Sequence, residues 1–202
     1  EYYEVATGAC AIGPNPVSVE ELTKGKKVVI FGLPGAFTPT CSAKHVPSYL
    51  QHYAELKAKG VDTIACLSVN DAFVMGAWAR DQHTDGKIRM LADGSADYVK
   101  ALGLVLDLTA RGMGVRSQRF SMLVDDGVVK ALNVEAGGKF EVSDGATMVK
   151  QLGCRPGRRR ASQTGADAGR PATLPSTGGR RRSLRSRWIL MANAPPRSHP
   201  FP

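Results

Sequence analysis

A chain of 202 residues, 43% hydrophobic and 22% charged, has enough apolar mass for one ordinary domain, which excludes wholesale disorder. Its longest early apolar run, Val28–Leu33, falls far short of the roughly 20 residues that span a membrane. The net charge of +9 points toward nucleic acid only until it is divided. Residues 153–202 carry 11 Arg, no Lys and one acid, Asp167, so the first 152 residues are near neutral and offer no electrostatic case for DNA or RNA.

Residues 1–25 are rich in turn formers, among them Gly8, Gly13, Pro14, Asn15 and Pro16. Pro16–Val19 reads as an extended piece, and Glu20-Glu21-Leu22 as a short helix that Gly25 ends. Val28–Leu33 is continuous and largely β-branched, the pattern of a strand buried on both faces, and Pro34-Gly35 stops it. Val46, Tyr49, Leu50, Tyr53 and Leu56 then fall at helical spacing, and Gly60 closes that element. Val61–Val69 predicts a second buried strand. Asn70 or Asp71 caps a helix carrying Phe73 and Trp78, and Ile88–Ala92 predicts a third strand. Residues 96–104 read as a short helix. Asp125-Asp126-Gly127 joins Phe120–Val124 to Val128–Leu132 in a predicted hairpin, and residues 144–152 make a last helix. Strands alternating with helices, followed by a hairpin, predict an α/β core with a parallel part and added antiparallel strands.

Beyond Leu152 the composition breaks. Residues 153–202 hold seven of the 12 Pro and two Arg triplets, with little periodicity. The expectation is one domain over 1–152 and an Arg/Pro-rich disordered tail over 153–202. A Lys-free basic stretch beside Ala, Gly and Pro is equally what a frameshift or a gene-model artefact leaves. A nucleic-acid-binding tail is disfavoured, since Trp188 and Phe201 are its only aromatics.

The four cysteines are Cys10, Cys41, Cys66 and Cys154, and no Cys-x-x-Cys occurs. Neither a zinc ribbon nor a thioredoxin-type dithiol is encoded, which argues against a thiol–disulfide oxidoreductase. Single thiols suit a reducing compartment. The expected location is the cytoplasm, or an organelle if a leader precedes Glu1. No cofactor, metal or membrane association is expected.

The informative stretch is Pro34-Gly35-Ala36-Phe37-Thr38-Pro39-Thr40-Cys41-Ser42-Ala43-Lys44-His45, between the first strand and the first long helix. Ligand sites in open α/β sheets lie at such strand ends. Thr38 or Thr40 capping the helix places Cys41 in its first turn, where the dipole and unpaired N–H groups favour a thiolate. The alternative is a small buried hydrophobe. His45, four residues on, falls on the same helical face; a hydrogen-bonding role near the loop is expected for it rather than a Cys–His pair.

Pro34-x-x-x-Thr38-x-x-Cys41 resembles the active-site motif of the peroxiredoxins. Gly32–Ser42 as a whole is similar to the peroxiredoxin-5 (type II) subfamily, as are Ala65–Val74 and Arg119-Phe120-Ser121-Met122. The similarity covers about residues 10–152. It implies a thioredoxin-like fold, a central mixed β-sheet flanked by helices, and reduction of hydrogen peroxide and organic hydroperoxides in oxidative-stress defence. By the same resemblance Cys41 is the peroxidatic cysteine and becomes a sulfenic acid, and Thr38 hydrogen-bonds the thiolate and the peroxide. Arg119 supplies a fixed positive charge, and Pro34 shields the sulfur. The resemblance also implies a homodimer, for which Phe37, Phe73 and Trp78 are candidate contacts, Trp78 being more readily a core residue.

Some relatives resolve the sulfenic acid with a second cysteine after the hairpin. Val142 takes that position here, so that cysteine is absent. Cys66, 25 residues after Cys41, has the spacing seen in plant and bacterial type II members, yet sits in a buried-strand pattern and reads first as a core thiol. The expectation is a one-cysteine cycle with glutathione, alone or with glutaredoxin, as reductant and thioredoxin as second choice.

Overall fold

The computed structural model describes residues 14–153. The expectation for residues 153–202, Gly153 excepted, and Cys10 and Cys154 therefore fall outside the described residues. The chain begins with α1 (Val19–Thr23), where Ser18 and Glu21 form a reciprocal capping box, and enters β1 (Lys27–Leu33). Helix α2 (Val46–Gln51) and helix α3 (Tyr53–Ala58) lead to β2 (Thr63–Ser68). Helix α4 (Ala72–Asp81), β3 (Arg89–Ala92) and α5 (Asp97–Leu102) follow. Then come β4 (Val105–Leu108), β5 (Gly114–Ser117), β6 (Phe120–Asp125), β7 (Val128–Val134) and α6 (Gly145–Gly153).

The main sheet has five strands in the order β3-β2-β1-β6-β7. Strands β1, β2 and β3 run parallel, and β6 and β7 are antiparallel, so the sheet is mixed as expected. Strand β1 is central because both its faces are apolar. Val29, Phe31 and Leu33 meet Val46, Tyr49, Leu56, Trp78 and Met148 on one side. Val28 and Ile30 meet Leu22, Val99 and Phe120 on the other. Each large apolar side chain so buried contributes about 1.5–3 kcal/mol. Phe31 also stacks on Tyr49, with ring centroids 4.0 Å apart. Gly32 is required at its place: a Cβ there would lie 2.0 Å from the Phe120 ring.

Two expectations need correction. The single helix over Val46–Leu56 is two helices, broken at His52, whose backbone leaves the helical region. The segment between α5 and β6, for which the sequence pattern assigns no element, forms an antiparallel β4–β5 pair, too short for alternation to reveal it. The hairpin holds: Asp126 and Gly127 both have positive φ, +48° and +72°, as a two-residue turn between twisted strands demands. No helix among the described residues is long and apolar enough to cross a membrane.

Candidate active site

The chain leaves β1 at Leu33, turns at half-buried Pro34 and becomes helical at Pro39. Cys41 thus stands in the first turn of a helix, with no exposed surface. From Cys41 to His45 this helix widens into a π turn, in which the Val46 N–H donates to the Cys41 carbonyl. Pro47 gives the reason: it has no N–H for the carbonyl of Ala43, and its ring crowds the preceding turn. Neither threonine caps as expected. Thr40 makes no capping hydrogen bond to a described residue, and the Thr38 hydroxyl donates instead to the Gly35 carbonyl at 2.8 Å.

Arg119 arrives from the far side of the sequence. Because β6 runs antiparallel to β1 with Phe120 opposite Gly32, the residue preceding β6 returns to the carboxyl end of β1. Its side chain is buried, and Nη2 donates to Cys41 Sγ at 3.5 Å. Nη1 donates to His45 Nδ1 at 3.0 Å, and His45 Nε2–H in turn donates to the Ser143 carbonyl at 3.1 Å. The imidazole is therefore neutral. Burial, and then the Arg119 charge, push its pKa down to about 3 against the opposing pull of Ser143 and Glu135. Tyr49 Oη also donates to the Ser143 carbonyl, and burial raises its phenol above the usual range.

The loop that offers Ser143 is itself tied down. Buried Glu135 accepts hydrogen bonds on Oε1 from the N–H groups of Glu141, Val142 and Ser143 and from the Ser143 hydroxyl. Burial raises its pKa, but these hydrogen bonds outweigh it and the net shift is downward. The Glu135 N–H donates to the Arg119 carbonyl, so main chain and side chain of Arg119 are held by one loop. Phe140 covers the cluster, its ring 5.1 Å from that of His45 and 5.8 Å from the guanidinium carbon. Arg119 Nε is buried with no hydrogen-bond partner among the described residues.

Pro34, Thr38, Cys41 and Arg119 thus lie at one end of the sheet, and of the four Arg119 and Cys41 are in contact. Cys66 does not share their polar surroundings. It lies mid-strand in β2, beside Phe31, as a fully buried free thiol. Burial, and secondarily the nearness of Cys41, push that thiol well above its ordinary value. Trp78 is core, its indole N–H donating to Ser42 Oγ, whereas Phe37 and Phe73 are more than half exposed. Phe37 holds φ at +60°, which a bulky side chain rarely adopts. Sequence reasoning missed the Arg119–His45 bond and Glu135. It also took Asn70 as a possible cap; Asp71 caps α4, and Asn70 reaches the Cys41 loop instead. No group of three metal-ligating side chains occurs among the described residues. A buried sulfur beside a fixed cation supports thiol chemistry.

The redoxin family model matches residues 5–149. Peroxiredoxin-2B of Arabidopsis thaliana is 53% identical over 135 residues, covering 67% of this chain and 83% of the relative. The chain belongs to the peroxiredoxins. A second Arabidopsis relative, the chloroplastic peroxiredoxin-2E, is 51% identical over 138 residues, covering 67% of this chain and 59% of the relative. The crystal structure of reduced Prx3 from Vibrio vulnificus superposes with a TM-score of 0.65 at 56% identity, over 67% of this chain and 86% of that one. The mixed sheet is accordingly the thioredoxin-like fold of a type II peroxiredoxin, and the activity is that of a thiol peroxidase acting on peroxides with thiol reductants.

Proposed function

We propose that Cys41 is the peroxidatic cysteine, served by Arg119, Thr38 and Pro34, and that the cycle uses one cysteine. The observation that carries this reading is the donation from Arg119 Nη2 to Cys41 Sγ at 3.5 Å inside a helix's first turn. A cation so placed holds the sulfur by a direct hydrogen bond and remains to stabilise charge on the departing oxygen. The thiolate attacks the terminal oxygen of ROOH. An S–O bond forms, the O–O bond breaks, the attacked oxygen keeps its hydrogen as Cys41–SOH, and RO⁻ takes a proton from water to leave as ROH. Two equivalents of external thiol then return Cys41 to the thiol, releasing water and a disulfide. Pro34 closes the loop over the sulfur at the end of β1.

Glutathione, alone or with glutaredoxin, is the proposed reductant, with thioredoxin second. Two features support a one-cysteine cycle: Val142 stands at the resolving position of other relatives, and Cys66 is held protonated in the core. The exposed Phe37 and Phe73 suit a homodimer contact, and the free thiols suit the cytoplasm or an organelle of the kind that names the chloroplastic relative.

Peroxide consumption by wild type and Cys41→Ser, with glutathione plus glutaredoxin and separately with thioredoxin, tests the reading. Turnover in wild type and none in Cys41→Ser is expected, faster with glutathione and glutaredoxin. Activity that survives Cys41→Ser would remove Cys41 from its role.

A further inference from the structure

The loop that presents Cys41 is clamped at one peptide group. The Ala36 N–H donates to Asn70 Oδ1 at 3.0 Å, and the carbonyl of the same peptide, on Gly35, accepts the Thr38 hydroxyl at 2.8 Å. Asn70 Oδ1 also accepts from the Ser68 hydroxyl at 2.7 Å, and Ser68 is wholly buried at the end of β2. Arg116 backs the clamp: Nε donates to the Met113 carbonyl and Nη1 to that of Val69. A Cβ on Gly35 would lie 3.2 Å from Arg116 Nη1 and 3.3 Å from Thr38 Cγ2, so the loop packs closely at this residue.

A hydroxyl carries one proton and two lone pairs. Spending the proton on Gly35 leaves Thr38 Oγ1 as an acceptor only, so it cannot also donate to the Cys41 thiolate, a bond the resemblance had implied. We propose that Asn70 is a positioning residue of the peroxidase reaction, which fixes the Gly35–Ala36 peptide and thereby sets the polarity of Thr38. The inference rests on the assignment of Thr38 and Cys41 above. With its polarity fixed, Thr38 accepts the O–H of the hydroperoxide, turning the oxygen that bears hydrogen toward Cys41 while the other faces the arginine. Without Asn70 the peptide can turn, Gly35 no longer takes the hydroxyl proton, and Thr38 no longer presents a lone pair to the substrate.

The test compares two reactions of Cys41 in the full chain. Oxidation by hydrogen peroxide needs Thr38 in this polarity; alkylation by iodoacetamide needs the thiolate and the same opening of the loop, but not Thr38. Asn70→Ala should slow oxidation about tenfold, the scale of one lost hydrogen bond, and alter alkylation by less than about twofold. Asn70→Asp keeps an acceptor oxygen in place and should recover most of the oxidation rate. The decisive variant is the double one: Asn70→Ala added to Thr38→Val should cost nothing beyond Thr38→Val, because both act through one hydroxyl. Additive losses, or alkylation that falls in step with oxidation, would overturn the clamp. So would wild-type oxidation in Asn70→Ala with Thr38→Val slow, an outcome that leaves the site assignment standing. Wild-type oxidation in Thr38→Val itself would overturn that assignment and the clamp together.

Discussion

Cys41 and Cys66 lie in the same apolar cluster on the same face of the sheet, and neither has exposed surface. Their surroundings differ by a few atoms. Cys41 sits in a helix's first turn with a guanidinium nitrogen at 3.5 Å, whereas Cys66 lies within a strand, beside Phe31. Burial alone works against a thiolate, as the upward shift of Cys66 records. What separates the two sulfurs in this core is a charge brought in by topology, through the antiparallel return of β6, and held there by the His45–Ser143–Glu135 chain.

The strongest way to break the contrast is to remove the charge. Arg119→Met should slow oxidation of Cys41 by hydrogen peroxide at least about a hundredfold, bringing Cys41 toward Cys66. Arg119→Lys should recover only part, since an ammonium lacks the fork that reaches sulfur and His45 together. Stopped-flow oxidation rates decide the point, and a wild-type rate in Arg119→Met would collapse the comparison.

His45 sharpens it. His45→Gln should slow oxidation about tenfold by loosening one arm of the guanidinium. It should also change the pH dependence of stability. The folded His45 titrates near 3, below its ordinary 6.5, so the unfolded chain binds a proton that the fold excludes. Stability must then fall as pH drops from about 6.5 toward 3, and the depressed Glu135 adds a loss of the same sign at the acid end. Denaturant midpoints from pH 7 to 4 should show a shallower decline in His45→Gln; an unchanged slope would mean the imidazole is not held neutral. The smallest effect belongs to the other thiol. Cys66→Ala should leave turnover with glutathione and glutaredoxin within about twofold and cost about 1 kcal/mol of stability. Loss of turnover with every reductant, with the first oxidation intact, would make Cys66 the resolving cysteine.

The sequence discloses most of the frame because local rules operate there. Val28–Leu33 is apolar on both faces and becomes the central strand, and Asp126-Gly127 has the residues its turn requires. The motif around Cys41 is contiguous and so can be read directly. The arginine partner of His45 and the roles of Glu135 and Asn70 could not be assigned, because each works on a partner distant in sequence: Arg119 lies 74 residues from His45, and Ala36 lies 34 from Asn70. Nothing local distinguishes a His that steadies an arginine from one that fills a core. The β4–β5 pair stayed hidden because its strands are only four residues each.

The π turn at Cys41–His45 bears on how fast the proposed cycle can run. Neither a peroxide oxygen nor a glutathione sulfur can touch an atom that has no surface, so on that cycle both halves must wait for the helix start to part from the sheet. Where a helix parts depends on where its rungs are weakest, and Pro47 has already taken one rung out just beyond the cysteine. The proline thereby makes a crack line: the turn that shelters the sulfur is also the one that yields with least work, and straightening it by Pro47→Ala would stiffen the door along with the wall.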